Sequence, residues 1–290
     1  GIVRGIGLGG GSLVYAAVLL RPQEAFFTDP AWPDAEGGWQ AELAPHYATA
    51  ERMLGLATNP YPGLQDEWLR ETARRMGAEP SFGPVPQGIF FGAPGRAHAD
   101  PFFAGQGPAR KGCERCGRCI TGCAVGAKNS LDKNYLHLAE KAGVAVRVEC
   151  QVTHLEKLPG EGYRLHLRHP WQRSVSLPPI RARRVVLSAG VLGTLDILFA
   201  SRDRYCTLPD VPASLGQHVR TNSEAVVGIL AQDAQTDISQ GTTISTHFHP
   251  DAHTHITQNR FPPSYGFMRM YMGPLVDGAR PWRRAAQVLW

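Results

Sequence analysis

Three groups of residues in this chain have the type and spacing to do chemistry. The first is Gly5-Ile6-Gly7-Leu8-Gly9-Gly10-Gly11-Ser12, with five glycines in seven positions. Without Cβ atoms the backbone can take positive φ, approach a bound group closely and turn successive N–H groups toward phosphate or another electron-rich ligand. Gly5, Gly7 and Gly10 also fit G-x-G-x-x-G, and Glu24 stands where a ribose-binding acid would. That dinucleotide reading lacks its context, because only Ile2 and Val3 precede the loop as apolar residues and no clear 3.6 period follows it. The second group is Cys113, Cys116, Cys119 and Cys123, the C-x2-C-x2-C-x3-C spacing of a bacterial ferredoxin segment with Ala124 in place of its proline. An iron–sulfur cluster, a zinc site, and disulfides or a structural cysteine knot are the three readings. Cys150 and Cys206 could each complete a site or be ordinary buried thiols. The third group is His247, His249, His253 and His255, with Asp251 between the pairs. Each H-x-H pair would share a strand face, lining a polar pocket or, with the carboxylate, holding a metal.

The elements that must position these groups are legible in part. Gly38 to Leu54 reads as a helix with Trp39, Leu43, Tyr47, Ala50 and Leu54 near one face despite Pro45, and Leu64 to Met76 as an amphipathic helix ended by Gly77. Between Leu20 and Gly38, Phe26 to Pro33 is a turn-rich connector. Glu79 to Gly112 shows no period and reads as an ordered excursion over a site, with Phe90, Phe91, Phe102 and Phe103 lining an apolar pocket or anchoring the loop. Ser130 caps a helix running to Gly143, and Val144 to Leu158 alternates as a half-buried strand. Tyr163 to Arg168 pairs with it across Pro159-Gly160-Glu161-Gly162. Arg183 to Gly190 is a short buried strand feeding a helix from Val191 to Ala200, Val226 to Leu230 is another strand, and Phe261 to Met272 is apolar enough to bound a large substrate or fill a core.

The whole chain, 290 residues with 43% hydrophobic and 19% charged side chains, is globular in composition and has no apolar run able to span a bilayer. Its +5 charge comes from arginines scattered along the chain, which argues for a solvated basic surface and against nucleic-acid binding. No signal peptide is in view, which favours a cytoplasmic location, and the opening on Gly1 inside a ligand loop is expected of a fragment.

Three ordered blocks resemble the glucose-methanol-choline (GMC) flavoprotein oxidoreductases, and most closely their cholesterol-oxidase-like branch. They are Gly7 to Tyr15, Lys128 to Leu136 followed by Val152, and Val185 to Thr194 with Leu208 to Asn222 behind. The resemblance implies a mixed α/β fold: an incomplete FAD-binding domain over residues 1–225 with a cysteine-rich insertion near 113–123, then part of an antiparallel-sheet substrate domain over 226–290. It implies FAD, with contact roles for Gly7, Gly9, Gly10, Gly11 and Ser12, for the backbone of Val152 at the adenine, for the Ala189-Gly190 turn near the adenosine, and for Asn222 near the flavin ring. The implied reaction is oxidation of a bulky apolar or sterol-like alcohol, a small-molecule substrate, by hydride transfer to flavin, with oxygen or another electron acceptor following. The family's leading dinucleotide loop and its C-terminal catalytic pair have no counterpart here, so no catalytic base is assigned. Tyr15 stands where those oxidases use a smaller polar residue. The competing expectation is a non-catalytic remnant, or a structural or electron-transfer module built on the cysteines.

Overall fold

The computed structural model describes residues 5–32, 38–172, 174–220, 222–229, 235–262, 265, 282–283 and 286. They form two compact units, Gly1–Val144 with Val227–Trp290, and Ala145–Val226. The segment from Val227 onward is grouped with the first unit. The expected mixture of helix and sheet holds, and every strand pairing among the named strands is antiparallel.

In the first unit, α1 (Glu24–Phe27) is a single turn inside the stretch read as a connector. Helix α2 (Trp39–Leu54) follows Gly38 and stops at Gly55, whose φ of 58° lets its N–H turn back onto Arg52 O. Helix α3 (Leu64–Arg75) matches its expected span, and only part of its apolar set is covered. Leu69 and Ala73, one turn apart, are buried, while Leu64, Trp68 and Met76 are exposed. The reason is the partner: Leu69 and Ala73 close a core with Ala78 and Phe248, so the face toward that strand is the one that is covered.

Short strands complete this unit: β1 (Ala57–Thr58), β2 (Gly83–Pro84), β3 (Pro86–Gln87), β4 (Ala97–His98) and β5 (Arg110–Lys111). Later in the chain β9 (Thr246–Phe248) and β10 (Ile256–Thr257) form a hairpin, and β9 also pairs with β2. Asp66 binds this sheet to α3. Its carboxylate accepts hydrogen bonds from the Gly63 N–H at 2.7 Å, Thr246 Oγ1 at 2.8 Å and Gln258 Nε2 at 2.8 Å, and from Ser245 Oγ, with Arg260 Nη2 at 3.3 Å.

In the second unit β6 (Gln151–Lys157), β7 (Tyr163–Arg168) and β8 (Ser176–Ala182) make a three-stranded sheet, so the expected hairpin is present. Strand β6 is shorter than expected, and Val144 and Val148 are 55% and 66% exposed outside it. Strand β8 contains Pro178 and Pro179, which mask it in the sequence. It is an edge strand, where proline is tolerated, and the register shifts between Leu165 and Leu167 opposite them. Helix α4 (Tyr135–Lys141) belongs to the first unit and is preceded by a 3-10 turn at Leu131–Lys133, so the helix expected from Ser130 begins later. The N–H of Tyr135 is capped by Asn134 Oδ1 at 2.5 Å.

Helix α5 (Gly190–Phe199) is where it was expected and is pinned to β6 through Ser201. That hydroxyl donates to Ile197 O at 2.7 Å and accepts from the Leu155 N–H at 2.9 Å. The strand expected at Arg183 to Gly190 is absent, and Val186 is 88% exposed, because no strand pairs with it among the described residues. Val226, Val227 and Ile229 are likewise exposed and unpaired, and Leu230 lies outside the described residues. Of Phe261 to Met272, Phe267, Met268, Met270 and Tyr271 also lie outside them, while Phe261 and Tyr265 stack at 5.2 Å. Among the described residues no helix is long and apolar enough to cross a membrane.

Candidate functional site

The glycine loop closes on itself before it meets anything else. A Cβ on Gly5 would lie 2.6 Å from Gly10 O, so only glycine allows that approach. Gly7, Gly9 and Gly10 have φ of 147°, 109° and 53°, and a 3-10 turn over Gly10–Leu13 follows. The Ser12 hydroxyl donates to Gly9 O at 2.6 Å and accepts from the Leu131 N–H at 2.9 Å. The outer face is open: a Cβ on Gly10 or Gly11 would meet nothing within 4 Å.

What holds the loop from behind is Lys128, a buried residue. Its ammonium donates to Leu13 O at 2.9 Å, Tyr15 O at 3.1 Å and Cys119 O at 2.7 Å. Tyr15 donates to Asn129 O at 2.6 Å, and Asn129 Nδ2 to Leu54 O at 2.8 Å. Buried Arg110 reaches Asn129 Oδ1 and the carbonyls of Gly126 and Lys128. Burial pushes the Lys128 ammonium below its ordinary pKa and the Tyr15 hydroxyl well above its own. Tyr15 is therefore a structural strut, which accounts for its size. Replacing Lys128 with methionine leaves three carbonyls without their donor, at a cost of about 1–3 kcal/mol. Faster hydrogen exchange across residues 7–15 is the expected reading, and unchanged exchange would show that the loop holds its shape unaided.

The remaining residues assigned by resemblance lie in the second unit. Val152 pairs with Leu167 in β6, just before a register shift. Ala189 is the N-cap of α5, and Gly190 has φ 69° with open space at its Cβ position, as a turn approached by a ligand would. Asn222 is exposed and donates to Glu224 Oε2 at 2.8 Å.

The four cysteines lie together. Cys113, Cys116, Cys119 and Cys123 line one small cavity with Ile89 and Lys128, and all six cysteines of the chain are free thiols. Among the described residues no three or more His, Cys, Asp or Glu side chains are arranged to hold a metal ion. The phenylalanines anchor their loop: Phe90 packs edge-on against Phe102 at 5.9 Å and His98 at 5.1 Å, and Arg110 lies over Phe102.

The β9–β10 hairpin brings His247, His249 and His255 into a triangle with ring centroids 5.1, 5.1 and 5.2 Å apart. His253 stands outside that triangle, and Asp251 is engaged in the turn, accepting from the N–H groups of His253 and Thr254. Nδ1 of His247 is buried without a partner. Burial, with His255 and His249 adding repulsion, lowers the His247 pKa to about 4. Protonation is thus harder in the folded state than in the unfolded one, where the pKa is about 6.5. The contribution is complete above that value and is lost as pH falls toward about 4. Melting curves across this window should show His247→Gln less acid-sensitive than wild type; parallel curves would remove His247 from the acid response.

Sequence reasoning missed Lys128, Arg110 and Asn129 as a buried brace, although Lys128 and Asn129 stood in a quoted block. It also missed a stack in the second unit, where His154 lies between His166 at 4.0 Å and Tyr205 at 3.7 Å.

Residues 108–202 match the family model described as "GMC oxidoreductase". Cholesterol oxidases of Mycobacterium tuberculosis, strains CDC 1551 / Oshkosh and ATCC 25618 / H37Rv, are each 39% identical to the chain over 302 residues, covering 99% of it and 52% of the relative. A cholesterol oxidase of Acinetobacter baumannii is 35% identical over 308 residues, covering 100% of the chain and 53% of the relative. The chain spans about half the length of these curated relatives. The similarity to these relatives extends over nearly the whole chain, and within it residues 108–202 are similar to the GMC oxidoreductase domain.

Proposed function

We propose that this chain is part of an FAD-dependent oxidoreductase that oxidises the CH–OH group of a bulky, sterol-like alcohol, with oxygen as the acceptor. The observation that carries the reading is the glycine loop itself. Its outer face is free of protein atoms where Cβ atoms would stand at Gly10 and Gly11, and its inner face is braced by Ser12 and Lys128. Such a cradle fits FAD, whose diphosphate is an anion suited to backbone amides at close approach.

Gly7, Gly9, Gly10, Gly11 and Ser12 would hold the cofactor, with Val152, Ala189, Gly190 and Asn222 as further contacts. Bound FAD supplies the hydride acceptor. The chain's own share is to keep the loop open toward the ligand and rigid behind it, which Lys128 does by tying Leu13 and Tyr15 to Cys119. The substrate class and the acceptor follow from the relatives, which are named cholesterol oxidases.

The test is a full-length protein, purified and examined for bound flavin, then mixed anaerobically with cholesterol and afterwards exposed to air. Retained flavin that bleaches with cholesterol and recovers in air supports the reading. Flavin that bleaches only with short primary alcohols would overturn the sterol class, and a colourless folded protein that takes up no added FAD would overturn the cofactor.

A further inference from the structure

We propose that the β8 edge of the second unit, from Trp171 to Arg184, is a docking surface for an anionic bilayer. The positive charge of the chain is concentrated in this unit. Residues 145–226 hold eleven arginines and lysines and seven acids, and so carry +4 of the chain's +5. From Gly162 to Leu195 there are six arginines and no acid. Strand pairing sharpens the imbalance. Arg164 of β7 and Arg181 of β8 are direct cross-strand neighbours, an arrangement in which like charges repel. Glu156 neutralises Arg164 at 3.0 Å, whereas Arg181, Arg183 and Arg184 are exposed and form no ion pair among the described residues.

Trp171 supplies the apolar anchor. It stands 78% exposed in the connection between β7 and β8, and Val175 in the same connection is 37% exposed. The turn that presents it is fixed. His169 Nδ1 accepts from the N–H of Trp171 at 3.3 Å and from that of Gln172 at 3.0 Å, and the Val175 N–H donates to Gln172 O at 3.0 Å. On its other side the His169 ring is held by Glu149, with Nε2 3.5 Å from Oε2. A tryptophan held in such a turn offers an apolar body to the acyl boundary and an N–H to the headgroups, with little ordering left to be done on insertion.

The construction of the edge selects the partner. Strand β8 is the outer strand of its sheet, and Pro178 and Pro179 have no N–H to offer a further strand, which disfavours an added peptide. A bilayer surface asks for no backbone pairing. It needs positive charge within reach of anionic headgroups and an interfacial aromatic side chain, and each arginine near such a surface favours binding about five-fold.

The experiment uses the full-length protein and sterol-free vesicles, so its outcome does not depend on the substrate. Co-sedimentation is measured with phosphatidylcholine vesicles, with and without phosphatidylglycerol, at low and high salt. Binding to the anionic vesicles that falls as salt rises, with weaker binding to phosphatidylcholine alone, is the expected result. Arg181→Gln, Arg183→Gln and Arg184→Gln combined should weaken that binding about 100-fold. Trp171→Ala should weaken it about ten-fold. Both variants alter exposed side chains and should melt as wild type does. Arg75→Gln, which removes an exposed arginine of α3, should bind as wild type does. No binding to the anionic vesicles, full binding by the triple arginine variant or by Trp171→Ala, or tighter binding of duplex DNA than of the anionic vesicles would each overturn the proposal.

Discussion

Asp66→Ala should cost about 3–5 kcal/mol, because it removes one member of a buried ion pair and strands the other. Asp66 and Arg260 side chains are 4% and 2% exposed, and four further donors converge on the same carboxylate. With no acid at position 66, Arg260 is left charged at a buried position, and the Gly63, Thr246 and Gln258 donors lose their acceptor. The expected melting temperature falls by roughly 10 °C. Asp66→Asn, which preserves shape and part of the hydrogen bonding, should lose less. Burial pushes the Asp66 carboxyl up, but the hydrogen bonds from Ser245, Gly63 and Thr246, and then the Arg260 charge, outweigh it and hold the pKa below the ordinary value. For an acid with a depressed folded pKa, the stabilisation is present above the unfolded value of about 3.9 and is lost as pH falls through it toward the folded one. Wild type should therefore lose stability in that acid range while Asp66→Ala does not share the loss. A melting temperature unchanged in Asp66→Ala at neutral pH would show that α3 and the β9 sheet are held by apolar packing alone.

Gly10→Val should produce a folded protein that no longer retains flavin. Its Cβ would meet no protein atom within 4 Å beyond its chain neighbours, so the branch starts from open space. The φ of 53° imposes a strain of about 1–3 kcal/mol on a branched residue, too little to unfold a domain of ordinary stability. The side chain would project into the open face where the cofactor is proposed to lie. A full-length variant with an unaltered apo melting curve and a flavin-to-protein ratio near zero is the expected result. Flavin content equal to wild type would sink the assignment of the loop, whatever the enzyme's activity proved to be.

The two helices with strong signals, α2 and α3, were legible because apolar spacing and the glycines that stop them are local properties. The β6–β7 hairpin was legible for the same reason, from the Pro159 to Gly162 turn. Strands β1 to β5 hold two residues each, too few for any alternation to register. Strand β8 was hidden by Pro178 and Pro179, which an edge position permits but a sequence window penalises. The valines of 144–148 and 185–186 made the opposite error: their pattern promised strands, yet a strand exists only with a partner, and none pairs with them among the described residues.

By itself the sequence determined which residues are available for chemistry: glycines where the backbone must reverse, four closely spaced cysteines, and two pairs of histidines each two residues apart. Only the tertiary structure decided what those residues face. It turned Lys128 inward to three carbonyls, set Gly241 and Thr243 against the cysteine loop, separated His253 from the other three histidines, and gave Asp66 its five donors. The physical reason is the range of the interactions. Turn and helix preferences are written within a few neighbouring residues, whereas a buried charge is tolerated only if distant segments bring it partners, and no local pattern records which segments those will be.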